Sequence, residues 1–324
     1  LYDIYIPALP PKQEPIPLRF VNQRIGEPFI RINPDKVKYI VESNVPDETK
    51  KAAEFTETTQ RLTDNLMNFL EMEADRRNWG GWLPPVQTGF GNLAANIVKA
   101  FEASIFQDIS FFCGVLQEAN IELMLTGKVK AASTGSIQMT PRVMEILQTN
   151  CEQLNSIVAL RNADITNNSE TIGRMGIIAL NSAIEADIFG NVNCSHICGS
   201  RVVNGIGGGA NFAQNAGLSV LLLPSETKNG AISTIVPMVS HCDITEHDID
   251  VIITDQGVSD LRGLDDIERA DTIIRNCASP RYRDMLLAYF SKAKKNTGGH
   301  HPILLDEAFS WHRRLMETGS MQEF

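Results

Sequence analysis

The segment NGIGGGANF, residues 204–212, places four glycines within five positions and precedes the apolar run LSVLLLP. A backbone with so few side chains lets N–H groups converge on an anion, and a following helix N-terminus would add positive potential. The spacing does not fit the phosphate-binding pattern G-x-x-x-x-G-K-[ST], and no strong strand precedes GIGGGA to make it a dinucleotide fingerprint. Two interpretations remain, a loop that faces a ligand and an ordinary tight turn.

The segment CSHIC, residues 194–198, brings together three side chains that can bind a soft metal ion. A zinc site would need a second pair of ligands, and the nearest candidates, His241 and Cys242, are distant in the sequence. We therefore predict no metal site. His196, His241 and His247 could line a cleft, but each is expected to be simply hydrogen-bonded.

Other residues that could carry charge-based chemistry have structural explanations. Asp260 and Arg262, in SDLRG, could belong to an acidic metal cluster, but an ion pair or a helix cap is the favoured interpretation. His300 and His301 follow NTGG and are expected to be loop residues. The six cysteines have no framework spacing, which favours free thiols in a reducing compartment.

These segments must be positioned by alternating strands and helices. VQTGFGNLAANIVKAF indicates a short strand, a glycine turn and a helix, ISFFCGVLQEANIELMLTGKV a strand that leads into a helix, and AAS the next strand. Further buried strands are predicted in MGIIALNSAIEADIFGNVN, in LSVLLLPSET and at residues 250–257, with SETKNGAISTIVP as the longest loop. The pattern predicts an α/β fold with a mostly parallel sheet and flanking helices.

The N-terminal third and the C-terminus look different from this alternating region. Residues 1–35 are Pro-rich and predict an extended strap on a surface. From Asp47 to Asn78, the spacing of Leu62, Leu66, Phe69 and Leu70 predicts a long amphipathic helix. HPILLDEAFSWHRRLME predicts a final amphipathic helix.

Composition limits the partners. The chain has 324 residues, 43% of them hydrophobic, and a net charge of −10, which makes nucleic acid an unfavourable partner. No apolar stretch reaches the roughly 18 residues of a membrane span. The sequence opens LYDIYIPALPP, without Met or signal-peptide regions, and we expect a processed or incomplete N-terminus.

Five segments in order carry a family resemblance: QTGFGNLAANIV, NSAIEADIFGNVN, GSRVVNGIGGGANF, GAISTIVPMVSHCDITEHDIDVIITDQGVSDLRG and NCASPRYRDML. With them the sequence resembles the acetyl-CoA hydrolase and acetate or succinate CoA-transferase family. The resemblance implies two related α/β halves, between which coenzyme A and a carboxylate meet. It also implies an acyl-CoA thioester as substrate, no bound cofactor, and a glutamate that attacks the thioester to give an anhydride and then a glutamyl-CoA thioester.

The resemblance assigns binding roles to several residues. Gly89 and Gly91 match the family's first glycine turn, where backbone amides can meet the acyl oxygen, and Asn167 matches a side chain near the coenzyme. Gly207 and Gly208 belong to the backbone that approaches the acyl-CoA, with Gly208 donating its N–H to an oxyanion or leaving space for the thioester. Residues 204–212 are expected to form a turn that enters a helix and to face the same cleft as Gly89 and Gly91.

The nucleophile is where this sequence departs from the family. Relatives end the strand before VLQ with Thr-Glu or an equivalent, whereas this chain has Cys113 and Gly114 there. Glu118 and Glu122 lie in the following helix. A shift of four residues moves a group about 6 Å along a helix axis, so neither glutamate easily replaces the one that relatives have on the strand. Cys113 could act only with a lowered pKa, but the flanking phenylalanines favour a buried structural thiol.

Two acidic residues in NSAIEADIFGNVN, Glu185 and Asp187, are interpreted as architectural carboxylates near the cleft rather than as nucleophiles. Two hypotheses about the whole chain follow. One is a working CoA-transferase or hydrolase; the other, which we favour, is a divergent, non-catalytic member bound to other protein subunits.

The resemblance also suggests a domain organisation and a location. Residues 1–82 would be the strap and helix that remain from the first half, and residues 83–324 the family's C-terminal-type α/β domain. Loss of most of the first half would uncover apolar surface that a partner chain covers. The expected location is the mitochondrial matrix.

Overall fold

The computed structural model describes residues 1–45 and 56–323. Within them the chain forms eleven α-helices and fifteen strands. The helices are α1 Glu57–Arg76, α2 Asn92–Ala103, α3 Glu118–Leu125, α4 Pro141–Thr149, α5 Cys151–Ile157, α6 Ala163–Thr166, α7 Ser169–Met175, α8 Gly209–Asn215, α9 Asp266–Cys277, α10 Pro280–Asn296 and α11 Ser310–Thr318. The strands are β1 Val86–Thr88, β2 Ile109–Leu116, β3 Val129–Ile137, β4 Val158–Leu160, β5 Ile178–Ser182, β6 Glu185–Asp187, β7 Val192–Asn193, β8 His196–Ile197, β9 Arg201–Val202, β10 Leu218–Leu222, β11 Glu226–Thr227, β12 Ile232–Ser233, β13 Ile235–Val236, β14 Val251–Ile253 and β15 Val258–Asp260.

The chain divides into two compact units. The first comprises Leu1–Glu54 and Gly81–Ile177, and the second comprises Phe55–Gly80 and Ile178–Phe324. These boundaries differ from the sequence-based division at residue 82, because helix α1 groups with the C-terminal segment and the strap groups with the strands that follow residue 81. Among the helices of the described residues, none is long and apolar enough to cross a bilayer.

The first unit is built on four parallel strands in the order β1, β2, β3, β4. Phe111 and Phe112 of β2 point to opposite faces, yet both are fully buried. A strand that is apolar on both faces is typical of a parallel sheet covered by helices. Phe101 of α2 packs edge-on against Phe111, with 6.5 Å between ring centroids.

The strap is tied to this first unit. Asp3 and Leu1 bond through their backbones to Leu160 at the free edge of β4. The buried Arg161 side chain pairs with Asp3, and its guanidinium donates to the carbonyl oxygens of Val21 and Gln23 at 3.2 and 2.5 Å.

Part of the strap enters the core. Ile16, Leu18 and Val21 are buried, so this segment is more than a surface covering. The strap therefore packs into its own chain, which corrects the prediction that it lies on a surface. The correction concerns residues up to about 27, because the apolar side chains beyond them are exposed.

The second unit is built on strands in the order β5, β10, β14, β15. The first three are parallel, and β15 returns antiparallel along the edge of β14. Every residue of β10 and β14 is buried, as both faces of a covered parallel sheet require. The prediction of an α/β fold with mostly parallel strands is confirmed.

Helix α1 belongs to this unit and confirms the amphipathic pattern. It begins at Glu57 behind a Thr56 capping box, and Leu62, Leu66, Phe69 and Leu70 are buried. The part of the predicted helix at residues 47–55 lies outside the described residues. The C-terminal helix α11 begins only at Ser310, later than its apolar pattern indicated.

Small sheets at one side of the second unit position two loops. Strand β6 pairs antiparallel with β7 and parallel with β13, and Val192 bridges to Ile244. The loops at residues 193–196 and 240–243 are thereby anchored at neighbouring points. The predicted long loop SETKNGAISTIVP contains a short hairpin instead, because Glu226 and Thr227 pair with Ser233 and Ile232.

Candidate functional site

Gly114, which the sequence resemblance places at the position of the family's glutamate, lies within β2 and leaves room for a side chain. A Cβ atom built there would meet, among the described residues, only Asn167, at 3.4 Å from its Oδ1 and 3.9 Å from its Nδ2. Its φ angle is outside the left-handed region, so the backbone does not require glycine. Gly135 on β3 differs, since a Cβ there would approach the Gly114 carbonyl oxygen at 3.0 Å.

Cys113, the other candidate on β2, is fully buried. Its Sγ atom lies 3.7 Å from the Val86 carbonyl oxygen and 3.4 Å from the Thr88 nitrogen. Burial raises the pKa of Cys113 to about 11, although contacts with Thr88 work in the opposite direction. The side chain is therefore a protonated thiol at neutral pH, which is a poor nucleophile.

Glu118 begins helix α3, is half-buried and accepts a hydrogen bond from the Thr140 hydroxyl. The neighbouring Gln117 has a role that the sequence patterns did not reveal. Its Oε1 accepts from the Gly91 N–H at 3.0 Å, and its Nε2 donates to the Gly89 carbonyl at 3.4 Å. Gln117 thus holds the first glycine turn against the end of β2.

Gly91 is needed by its backbone, which has φ of 111° at the N-cap of α2. Because its N–H already donates to Gln117, this amide could meet an acyl oxygen only if that hydrogen bond opened. Asn167 follows α6 and accepts from the Thr166 hydroxyl at 3.2 Å. With strap residues 6–16 it lines a cavity of about 910 Å³. The structure therefore places Gly114 beside Asn167.

The second glycine segment, residues 204–212, forms a turn that enters α8, as predicted. Gly207 has φ of 57°, which accounts for glycine there, and Gly208 is the N-cap. Asn181 at the end of β5 donates to the Gly209 carbonyl oxygen at 3.4 Å. The prediction that this segment faces Gly89 and Gly91 involves both units and stays a prediction.

Glu185 is a buried carboxylate within a dense network in the second unit. Its Oε2 lies 2.8 Å from His312 Nε2, and its Oε1 accepts from Asn193 and from Ser240. Burial works to raise the pKa of Glu185, but the hydrogen bonds from His312 and Asn193 outweigh it and hold the pKa below its ordinary value. This is the environment of an architectural carboxylate.

Asp187 has the opposite balance. Its Oδ1 accepts from the N–H groups of Phe189, Gly190 and Asn191, each at 3.0 Å. Complete burial raises its pKa to about 6 despite these hydrogen bonds. The carboxylate therefore shapes the turn between β6 and β7.

Among the residues that the structure describes, His196, His241 and Asp243 form a group that could hold a metal ion. The sequence distance between the CSHIC segment and His241 had counted against such a grouping, and the fold removes that distance. Asp260 and Arg262 form the predicted ion pair, at 2.6 Å, and Arg262 also contacts Glu73.

The histidines outside this group are in varied surroundings. His247 is exposed and lies 3.5 Å from Glu246. His301 bonds to Asp266 at 2.9 Å and stacks on Phe189, whereas His300 is exposed in a loop. No local sequence pattern indicates the His301 contacts, because they depend on residues far away along the chain.

The fold defines the class of protein to which this chain is similar. A solved 4-hydroxybutyrate CoA-transferase from Porphyromonas gingivalis superposes with a TM-score of 0.62 over 81% of this chain and 62% of that chain, at 20% identity. The fold is therefore that of CoA-transferases.

Sequence comparison shows which proteins the chain resembles. Residues 140–290 match the acetyl-CoA hydrolase/transferase C-terminal domain. Over 99% of its length the chain is 41% identical to a succinyl-CoA:acetate CoA-transferase of Clostridium kluyveri and 36% identical to an acetyl-CoA hydrolase of Eremothecium gossypii. It spans 60% and 63% of the length of these two relatives. Over almost its whole length the chain is therefore similar to members of the acetyl-CoA hydrolase and CoA-transferase family, as its motifs indicated.

Proposed function

We propose that this chain is a non-catalytic member of its family that serves as a structural subunit of a larger assembly. The observation that carries the proposal is Gly114. The strand position that the family resemblance assigns to the attacking glutamate has no side chain, although the surrounding space would accept one. Without a carboxylate there, neither the acyl anhydride nor the glutamyl-CoA thioester can form at this point.

The neighbouring groups do not supply a substitute. Cys113 is buried and protonated, and its sulfur is directed at Val86 and Thr88. Glu118 begins helix α3, two residues after the end of β2, and its carboxylate accepts a hydrogen bond from Thr140. A nucleophile has to offer a free thiolate or carboxylate to the thioester, whereas Cys113 is a buried thiol and the Glu118 carboxylate is engaged by Thr140.

An exposed apolar segment in the first unit supports the assembly part of the proposal. Between residues 29 and 45, eight large apolar side chains are exposed: Phe29, Ile30, Ile32, Val37, Tyr39, Ile40, Val41 and Val45. Tyr39 and Ile40 are about nine-tenths exposed, at 89% and 91%. Many exposed apolar side chains within one short segment are typical of a region that another protein covers.

The alternative is an active acetate:succinate CoA-transferase or acetyl-CoA hydrolase that works with another chain. The names of the two relatives support it, since one is a CoA-transferase and the other a hydrolase. Acyl-CoA is the substrate that this alternative requires. We favour the non-catalytic role because the alternative needs a nucleophile from elsewhere. The location proposed with either role is the mitochondrial matrix, on the family resemblance alone.

The catalytic part is tested with the purified chain, acetyl-CoA and succinate. We expect neither CoA transfer nor hydrolysis, and no covalent CoA adduct by intact mass. Gly114→Glu restores the carboxylate and is expected to form a CoA thioester at residue 114, whereas the isosteric control Gly114→Gln is not. Turnover by the unmodified chain that disappears in Cys113→Ala would show that the cysteine is the nucleophile and that the proposal is wrong.

The assembly part is tested by sedimentation and by the area that the chain buries against its neighbours. A stable interface should bury more than about 1,000 Å² in total. A monodisperse monomer would contradict the structural-subunit role. A homodimer that binds acyl-CoA stoichiometrically would favour the active alternative.

A further inference from the structure

Three side chains from two separate loops of the second unit converge on one point. His196, His241 and Asp243 are half-buried, and each offers a ligand atom within 4.8 Å of the other two. His241 Nε2 is 3.2 Å from Asp243 Oδ1, and the rings of His196 and His241 have centroids 3.8 Å apart. We propose that these three residues form a binding site for a divalent transition-metal ion, with Zn²⁺ as the best-suited ion. The proposal is independent of the function proposed above.

The ligands are held in place by hydrogen bonds that a metal would not displace. The Ser195 hydroxyl lies 2.7 Å from His196 Nδ1 and donates to both carboxylate oxygens of Asp243, at 2.8 and 2.7 Å. The Cys194 N–H donates to Asp243 Oδ2 at 2.7 Å. Contacts of this kind orient the ligands of metal sites and reduce the ordering that binding requires.

A second layer joins the two loops. Asn193 Oδ1 accepts the N–H groups of Ser195 and His196, at 3.2 and 2.9 Å, while its Nδ2 donates to Glu185. Ser240, which precedes His241, donates its N–H to the same Glu185 oxygen at 2.8 Å. One buried carboxylate therefore fixes the relative positions of both ligand loops.

The donor set decides which ion is suited. Two imidazole nitrogens and one carboxylate oxygen are typical zinc ligands, whereas Mg²⁺ and Ca²⁺ prefer oxygen alone. Two ligand atoms of one tetrahedral zinc ion lie about 3.3 Å apart. His241 Nε2 and Asp243 Oδ1 have nearly this spacing, at 3.2 Å, and the ligand atom of His196 lies within 4.8 Å of the other two ligand atoms. A simple hydrogen-bonded pair would need only His241 and Asp243, and it would not account for the second imidazole.

Three protein ligands leave one position of a tetrahedral zinc ion open. Structural zinc sites are usually closed by four protein ligands, and sites with three keep a water molecule or another exchangeable ligand. The half-buried position of the cluster gives such a ligand access from solvent. The predicted site is therefore one that could exchange its fourth ligand.

The test is a titration of the whole chain with ZnCl₂ in the presence of a competing chelator dye. We expect one ion bound per chain, with affinity reduced at least about tenfold in His241→Gln and in Asp243→Asn. The matched control is His247→Gln, because His247 is an exposed histidine outside the cluster and its loss should leave affinity unchanged. Circular dichroism checks folding, and His241→Gln decides the matter if Asp243→Asn does not fold.

Free thiols are the main competitors for zinc, and Co²⁺ distinguishes them by its spectrum. Cobalt at the proposed site should show tetrahedral visible bands without intense thiolate-to-metal absorption. Affinity that is retained in both ligand variants would overturn the proposal. So would affinity that is kept in His241→Gln but lost in Cys242→Ser, since the ion would then be bound by the neighbouring cysteine.

Discussion

The surroundings of Gly114 leave space for a side chain, whereas those of Glu185 are filled by hydrogen-bonded polar groups. Around Gly114 the backbone frame is retained, with Gln117 holding the glycine turn, yet there is space where a side chain could stand. Around Glu185 every carboxylate oxygen is bonded, and the network reaches two loops and helix α11. The difference indicates that the first region needs no side chain at residue 114 for its stability, whereas the second region depends on its polar groups.

The largest effect is expected from Glu185→Ala. It would leave His312, Asn193 and Ser240 without their buried acceptor, and we expect a loss of about 3–5 kcal/mol in the free energy of unfolding. Urea denaturation at neutral pH measures it. Glu185→Gln, which keeps an acceptor oxygen, should lose clearly less; equal losses would show that charge, not acceptor geometry, matters here.

A pH series separates the two buried acids of this region. The lowered pKa of Glu185 contributes stability above its ordinary pKa, which is lost as pH falls through the folded-state value. The pKa of Asp187 is raised to about 6, so its contribution to stability is present below its ordinary pKa and is lost as pH rises through about 6.

Asp187→Asn should remove that second dependence. Between pH 4 and pH 7 the unmodified chain should therefore lose about 2 kcal/mol of unfolding free energy relative to the variant. Parallel denaturation curves at several pH values provide the measurement. If both proteins follow the same pH profile, Asp187 is ionised throughout this range.

A smaller loss is expected from Gly135→Ala in the first region. The new methyl group would lie 3.0 Å from the Gly114 carbonyl oxygen and 3.2 Å from the Thr166 hydroxyl, so β2 or α6 has to shift. Crowding of this kind costs about 1–3 kcal/mol, measurable by thermal or urea unfolding. A neutral result would mean that the neighbouring strand moves freely.

The smallest effect is expected from Gly114→Ala. With Asn167 no nearer than 3.4 Å and an ordinary φ angle, the methyl group should fit and stabilise the chain by about 0.4–1 kcal/mol through the unfolded state. The same unfolding experiment measures it. Destabilisation by more than 1 kcal/mol would show that the space around Gly114 is not available and that the surroundings of Gly114 and Glu185 are equally filled.

The sequence predicted the elements better than the contacts between them. The spacing of Leu62, Leu66 and Phe69 determined α1, and the apolar runs identified β2, β10 and β14, because periodic burial is recorded locally in the chain. The family motifs similarly indicated the fold and the two glycine turns. Strand and helix formation thus followed from patterns within short segments.

The missed features depend on long-range pairings. Gln117 binds a turn 26 residues earlier, and His196 meets a loop whose position is set by strand pairing in another part of the sequence. A side-chain amide or a single histidine carries no periodic signal, so nothing local distinguishes a contact residue from a solvated one. The Asn193 and Ser240 bonds to Glu185 were hidden for the same reason.

The buried Arg161 makes the stability of the first unit depend on the short segment that contains Asp3. Its guanidinium is satisfied by Asp3 and by the carbonyl oxygens of Val21 and Gln23, so the first few residues carry the counter-ion of a group in the core. Cleavage after Asp3 would leave an uncompensated buried charge. In a fragment library of this protein, we therefore expect fragments that begin after Asp3 to be recovered mainly as insoluble material.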